Sequence, residues 1–259
     1  MKTELIHKFA HNDDSFLTYY SLEEDNENTT TDIAILICPG GGYEHISTRE
    51  SKPVANAFLK RGYKVFILNY SILENAKDLT PLSEIEFAIK HIRTNANRYC
   101  IDPNKVVALG FSAGGHLALS SGTLLQPEYR PNGLVLCYPV VTATCKTHLG
   151  SLHYFCGTDT PSDEQIKQFS LDLHVDANTP PVFVWHTVTD ESVPIQNTYN
   201  LVEALKHNGI NYELHVFPYG EHGLALATHE TCENIKENEV HPASAWVDLT
   251  DKWIKANLT

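Results

Sequence analysis

The run KVVALGFSAGGHLALSS, residues 105–121, constrains the fold more than any other stretch of the chain. Residues 106–109 read as an apolar strand, Ser112 sits at the apex of a turn, and a helix rich in Ala and Leu starts at Ala113. The pentad GFSAG, residues 110–114, fits G-x-S-x-G, in which a strand reverses into a helix with a serine on the bend. Gly110 and Gly114 lie two residues either side of Ser112, where such a reversal brings backbones too close for a Cβ. The Ala113 amide, at the head of the helix, can meet a developing oxyanion with favourable dipole orientation. Gly and Ser are common in loops, so the flanking strand and helix are what make the pentad specific.

A chain of 259 residues can bury one substantial core, and a single domain over 1–259 is expected. The net charge of −13, with no Lys/Arg cluster, argues against nucleic acid and anionic membranes and disfavours strongly anionic substrates. The opening MKTELIHKFAHNDD lacks the apolar run of a signal peptide, and no stretch reaches membrane-spanning length. Six cysteines (Cys38, Cys100, Cys137, Cys145, Cys156 and Cys232) show neither a CxxC pair nor framework spacing. Reduced thiols in a cytoplasmic protein are expected, with Cys38 and Cys137 as small hydrophobes inside apolar strands. HExxH and paired Cys/His signatures are absent, so no metal is implied, and no cofactor either.

Along the chain, residues 5–10 and 16–22 read as short strands, and the polar run 23–32 as an exposed loop. IAILIC, 33–38, is a continuous apolar run of the kind buried on both faces. It leads into PGGGY, 39–43. A short helix over 52–61 stops at Gly62, and a second buried strand covers 64–70. Pro81 opens a long helix with Ile85, Ala88, Ile89 and Ile92 on one face. Beyond the serine turn come strands over 133–138, 182–187 and 212–217, a helix over 194–208 and a closing helix over 243–257. In that last helix Trp246, Leu249 and Trp253 share a face. Residues 141–180 loosen into short helical and loop pieces. Alternating strands and helices predict an α/β fold: a doubly wound, mostly parallel sheet with active loops at the strands' C-terminal ends.

A serine hydroxyl needs a base. Among fourteen histidines, His222 in YGEHGLA follows the last strand in a glycine-flanked loop that can bring an imidazole to the sheet's edge. His186 and His215 lie inside strands, and His116, one turn beyond the serine, would support the bend. The imidazole in turn needs a carboxylate. Asp190, in TDESVP after the strand at 182–187, comes first in its loop and is preferred over its neighbour Glu191. The order Ser, acid, His matches that of G-x-S-x-G hydrolases. Gly40, Gly41 and Gly42 supply unobstructed amides after a buried strand, where HGGG occurs in many esterases. Such donors are worth roughly 3–4 kcal/mol each in a transition state. A phosphate cradle is a weaker reading, because GxGxxG and GxxxxGK[ST] are both missing.

The segments PGGGY (39–43), RESKPVA (49–55), LGFSAGGHLA (109–118), TPPVFVWHTVTDESVP (179–194) and EHGLALA (221–227) resemble the α/β-hydrolase superfamily. The resemblance runs over essentially the full length. Within it, the chain is most similar to compact esterases of the acetylxylan/feruloyl (BD-FAE-like) group, near the hormone-sensitive-lipase type. That resemblance implies an eight-stranded sheet flanked by helices, with 141–180 as a short cap over an open pocket. It implies Ser112 as nucleophile, Asp190 as acid, His222 as base, and the amides of Gly41, Gly42 and Ala113 as the oxyanion hole. Pro39 stands where HGGG has His. Tyr43 and His45, just past the glycines, are candidates for the pocket lining, with surface packing the alternative for both.

The expected reaction is hydrolysis of short-chain, above all acetyl, esters through an acyl-enzyme, with small alcohols or xylo-oligosaccharides as the alcohol half. A formamidase or small-amide hydrolase would use the same groups. A glycosidase would need two paired carboxylates, which no spacing here singles out, and a non-catalytic binding protein of this fold would lack a member of the triad. A small-molecule ester is the expected partner. A homo-oligomer is compatible with the sequence, which carries no mark of it.

Overall fold

Strands covered on both faces must be apolar at nearly every position, and four strands here are buried throughout. They are β3 (Ala34–Cys38), β5 (Val106–Phe111), β6 (Gly133–Cys137) and β7 (Val182–Thr187). The structure is a computed structural model that describes residues 1–10, 14–22, 31–236 and 239–258. With β1 (Lys2–Lys8), β2 (Phe16–Ser21), β4 (Lys64–Asn69) and β8 (Tyr212–Phe217), these strands form one eight-stranded sheet. Its order is β1-β2-β4-β3-β5-β6-β7-β8. The pairings of β1 with β2 and β2 with β4 are antiparallel, and all the others are parallel. This is the mostly parallel, doubly wound α/β sheet expected.

Side chains alternate across the sheet and build a core on each face. Leu36, Phe66, Ala108, Leu134 and Val184 pack against α2 (Thr80–Thr94), α4 (Ser112–Thr123) and α7 (Gln196–His207). Ile35, Val65, Leu109, Val135 and Trp185 pack against α1 (Lys52–Leu59) and α8 (Trp246–Leu258). The α2 stripe of Ile85, Ala88, Ile89 and Ile92 is fully buried, and each isoleucine contributes about 1.5–3 kcal/mol by leaving water. In α8, Trp246 and Trp253 are buried and Leu249 packs at the margin of that core.

Strand order reverses where β3 and β5 lie side by side, since β4 flanks one and β6 the other. Crevices at such switch points open beyond the strands' C-terminal ends. PGGGY follows β3 there and Ser112 follows β5.

The first strand starts earlier than expected. β1 begins at Lys2 because ladder pairing with β2 recruits the polar residues Lys2, Thr3 and Glu4, which no hydrophobic pattern marks. Residues 23–30 of the expected exposed loop lie outside the described residues. The segment 141–180 holds α5 (Leu149–Cys156), α6 (Asp163–Phe169) and a 3-10 turn at Leu171–His174. It rests on α4 through Phe155 and Phe169, whose rings pack on His116. No helix among the described residues is long and apolar enough to cross a membrane.

Candidate active site

The reversal after β5 has no intervening loop: Phe111 ends the strand and Ser112 begins α4. Ser112 has φ +52°, in the left-handed region that costs an L-residue about 1–2 kcal/mol. The glycines on either side let the backbones close in around it. A Cβ on Gly110 would fall 2.1 Å from the Gly114 carbonyl oxygen, and one on Gly114 would fall 2.1 Å from that of Cys38. The close approach expected from the pentad is therefore present. The Ser112 carbonyl also accepts from the Val140 amide at 3.1 Å, which ties the bend to the end of β6.

Three segments distant in sequence meet at the bend. Ser112 Oγ lies 2.7 Å from His222 Nε2, and His222 Nδ1 lies 2.6 Å from Asp190 Oδ2. With Nδ1–H donating to the carboxylate, Nε2 is left to accept the serine proton. Asp190 follows β7 with its side chain out of solvent, and its Oδ1 accepts from the Ser192 and Val193 amides at 3.0 and 2.9 Å. Glu191 is exposed, so the structure brings Asp190 rather than Glu191 to the imidazole. Burial pushes the Asp190 carboxyl up. Hydrogen bonds from His186 and His222, the His222 charge and the Val193 amide outweigh burial and hold it well below the usual carboxylate range. Asp190 is thus ionised at neutral pH and fixes the imidazole in one tautomer. Such an arrangement can take a hydroxyl proton and return it.

The glycine turn stands opposite. Gly40 donates its amide to Glu50 Oε2 at 2.9 Å. The amides of Gly41 and Gly42 have no acceptor among the described residues, and Gly41 and Gly42 hold φ of +126° and +68°. Ala113, second residue of α4, has an amide that the helix cannot satisfy internally. A pocket of about 190 Å³ is lined by Ser112, His222, Gly41, Gly42, His45 and His148.

Tyr43 does not line it, contrary to expectation. Its ring is 1% exposed in the core, edge-on to Tyr70, and its hydroxyl meets His116 Nδ1 at 3.0 Å. The turn through Gly41, Gly42 and Tyr43, all at positive φ, carries the ring away from the pocket and into the apolar cluster beside α4. His45 lies on the pocket wall and is exposed. His116 and His186 are packed and hydrogen-bonded at both ring nitrogens, His116 to Tyr43 and Phe169 and His186 to Thr198 and Val193, with His186 Nε2 also 3.3 Å from Asp190 Oδ2.

Residues 20–134 match the BD-FAE family model. The chain is 38% identical over 215 residues to endo-1,4-beta-xylanase B of Butyrivibrio fibrisolvens, covering 76% of this chain and 33% of that protein. It is 32% identical over 200 residues to an acetylxylan esterase of Xylanibacter ruminicola, covering 75% and 42% respectively. It thus spans well under half the length of these two curated relatives. A solved structure, the acetyl ester-xyloside bifunctional hydrolase from Caldicellulosiruptor lactoaceticus, is 35% identical with a TM-score of 0.82. That likeness covers 93% of this chain and 88% of the other. The chain belongs to the BD-FAE-like α/β-hydrolase esterases. The matched window contains the glycine turn and Ser112, whereas Asp190 and His222 lie beyond it and join the site only through the fold.

Two further residues shape this esterase-family site, and sequence reasoning assigned neither a role. Glu50 is 3% exposed and bridges two loops: Oε2 accepts from the Gly40 amide, and Oε1 accepts from the Tyr138 hydroxyl at 2.7 Å. The Tyr138 oxygen in turn accepts from the Ala225 amide, just past His222. A glutamate in a polar run such as RESK reads as surface, and only tertiary contact buries it. His148 caps α5, with Nδ1 accepting from the Ser151 amide at 3.1 Å. Its ring lies over Gly42, where a Cβ would come within 3.1 Å of Cε1. Burial first, then the charge of His222, lower the His148 pKa against the pull of Glu44 and Asp190. In its neutral form the proton sits on Nε2.

Proposed function

We propose that the protein hydrolyses short-chain esters, chiefly acetyl esters, by two-step acyl transfer at Ser112. The unbroken hydrogen-bond sequence from Ser112 through His222 to Asp190, opening on the glycine turn, carries this reading. As Ser112 Oγ attacks the ester carbonyl, His222 Nε2 takes its proton and Asp190 stabilises the imidazolium. The carbonyl oxygen, now an oxyanion, is met by amides of Gly41, Gly42 and Ala113, while Gly40 is committed to Glu50. Collapse of the tetrahedral intermediate expels the alcohol, which takes the proton back from His222. Water then repeats the sequence on the acyl-serine and releases the acid.

The small pocket supports short acyl groups over long chains. The names of the relatives, acetylxylan esterase and acetyl ester-xyloside hydrolase among them, support acetylated xylo-oligosaccharides as the natural class. The test is hydrolysis of p-nitrophenyl acetate, butyrate and octanoate by wild type and Ser112→Ala. Rates should decline from acetate to octanoate, and kcat should fall about 10⁵- to 10⁶-fold in the variant. Retained turnover in Ser112→Ala would rule the mechanism out. A preference for formyl amides over acetyl esters would move the reaction to amide hydrolysis.

A further inference from the structure

Gly40, which leads into the glycine turn, is gripped at both its polar groups by the segment just before α1. Its amide donates to Glu50 Oε2 at 2.9 Å, and its carbonyl accepts from the Ser47 amide at 3.0 Å. That segment is itself braced, since the Ser51 hydroxyl donates to the Ser47 carbonyl at 2.7 Å. A Cβ on Gly40 would lie 2.7 Å from Glu50 Oε2 and 3.0 Å from Ser112 Cβ. Gly40 is therefore wedged between the carboxylate and the nucleophile. On its other side Glu50 Oε1 accepts from the Tyr138 hydroxyl, whose oxygen accepts from the Ala225 amide at 2.9 Å. The Tyr138 ring stands edge-on to His222, with centroids 5.1 Å apart. Burial, and then the Glu50 charge, push the phenol well above its usual range, so it stays a donor.

For stability alone Glu50 is a poor choice. It is buried, no cation pairs with it among the described residues, and two neutral donors face its oxygens. Desolvating a carboxylate without an ion pair works against folding. A group that only accepts does satisfy both donors, whereas an amide would turn an N–H toward one of them. Resting on the esterase reading above, we propose that Glu50 is a positioning residue for acyl transfer. It holds Gly40 so that the Gly41 and Gly42 amides stand at the distance from Ser112 that the oxyanion requires. Through Tyr138 it also holds the segment that carries His222.

The experiment measures kcat and KM on p-nitrophenyl acetate, inhibition by trifluoroacetone and the urea midpoint for wild type, Glu50→Gln, Tyr138→Phe and the double variant. In Glu50→Gln, kcat should fall on the order of 10²-fold with KM within about threefold, the scale of a displacement of about 1 Å. Trifluoroacetone, whose adduct with Ser112 bears the oxyanion, should weaken by the same factor as kcat/KM. Tyr138→Phe should lower kcat about tenfold, the scale of one lost hydrogen bond. The double variant should fall well short of the roughly 10³-fold product, because the two groups share one bond. Tyr138→Phe removes only a hydroxyl and reports even where Glu50→Gln fails to fold. A kcat unmoved in folded Glu50→Gln, whatever its urea midpoint, would reduce Glu50 to a structural role and leave the esterase reading intact. A kcat unmoved in Tyr138→Phe, or additive losses, would remove the link to His222. Absence of turnover by wild type would overturn both readings.

Discussion

Two regions meet around Ser112, and they are built on different terms. The lower one is the sheet's C-terminal edge, where β3, β5 and β7 end and their turns converge. Its geometry is set by backbone: Gly110 and Gly114 tolerate no Cβ, Ser112 is held at positive φ, and Asp190 is pinned by two amides. The upper one is 141–180, two short helices with Leu149 and Leu173 left 62% and 56% exposed. It is anchored by Phe155 and Phe169 around His116, by Asp176 on Arg130 and by Asn197 on the Val141 and Thr142 amides, and supplies His148, an imidazole, as its contact with the pocket. The contrast teaches that main chain fixes where the proposed reacting side chains stand, while the upper region meets the pocket through a replaceable side chain.

After Ser112 itself, the largest expected effect in the lower region is at Asp190. Asp190→Asn should lower kcat on p-nitrophenyl acetate by about 10⁴-fold, through loss of the correct imidazole tautomer. Glu191→Gln, one residue away and exposed, should stay within about threefold, the scale of a surface change. The reverse order would transfer the acid role to Glu191. Next comes a stability comparison by urea unfolding. Gly114→Ala forces a methyl to 2.1 Å from the Cys38 carbonyl and should cost more than about 4 kcal/mol, whereas Leu149→Ala in the upper region should cost under about 0.5 kcal/mol. Equal costs would erase the distinction between the regions.

The smallest effect sits where the regions join. His116 bonds Tyr43 below and the Phe169 carbonyl above. Burial lowers its pKa to about 4, with the Phe169 carbonyl opposing. The unfolded chain takes up a proton below about pH 6.5 that the folded site refuses. Stability from this group is therefore whole above pH 6.5 and declines as pH falls toward 4. Wild type should lose up to about 3 kcal/mol more than His116→Gln between pH 7 and pH 4. Parallel acid limbs for the two proteins would show that the junction does not resist protonation.

Much of the lower region is legible in the sequence, and little of the upper. Strands such as AILIC and VFVWHT announce themselves because burial on both faces forces nearly every residue to be apolar, His186 and Thr187 being buried with hydrogen-bond partners. Ser112 and Asp190 are legible because each comes within a few residues of the end of such a strand, and His222 because it follows the edge strand β8 in a glycine-flanked loop. Tyr43 is misjudged because its direction depends on three consecutive positive φ values, invisible in PGGGY. His148 and Glu50 are overlooked for a shared reason: their roles come from partners remote in sequence, the glycine turn for one and Tyr138 for the other.

Glu50 has a consequence for redesign. Through one carboxylate and the phenol of Tyr138, the turn after β3, the end of β6 and the segment carrying His222 are joined in series. Grafting any one of these from a distant cousin would sever a joint whose other halves remain behind. The three are transplantable as a set.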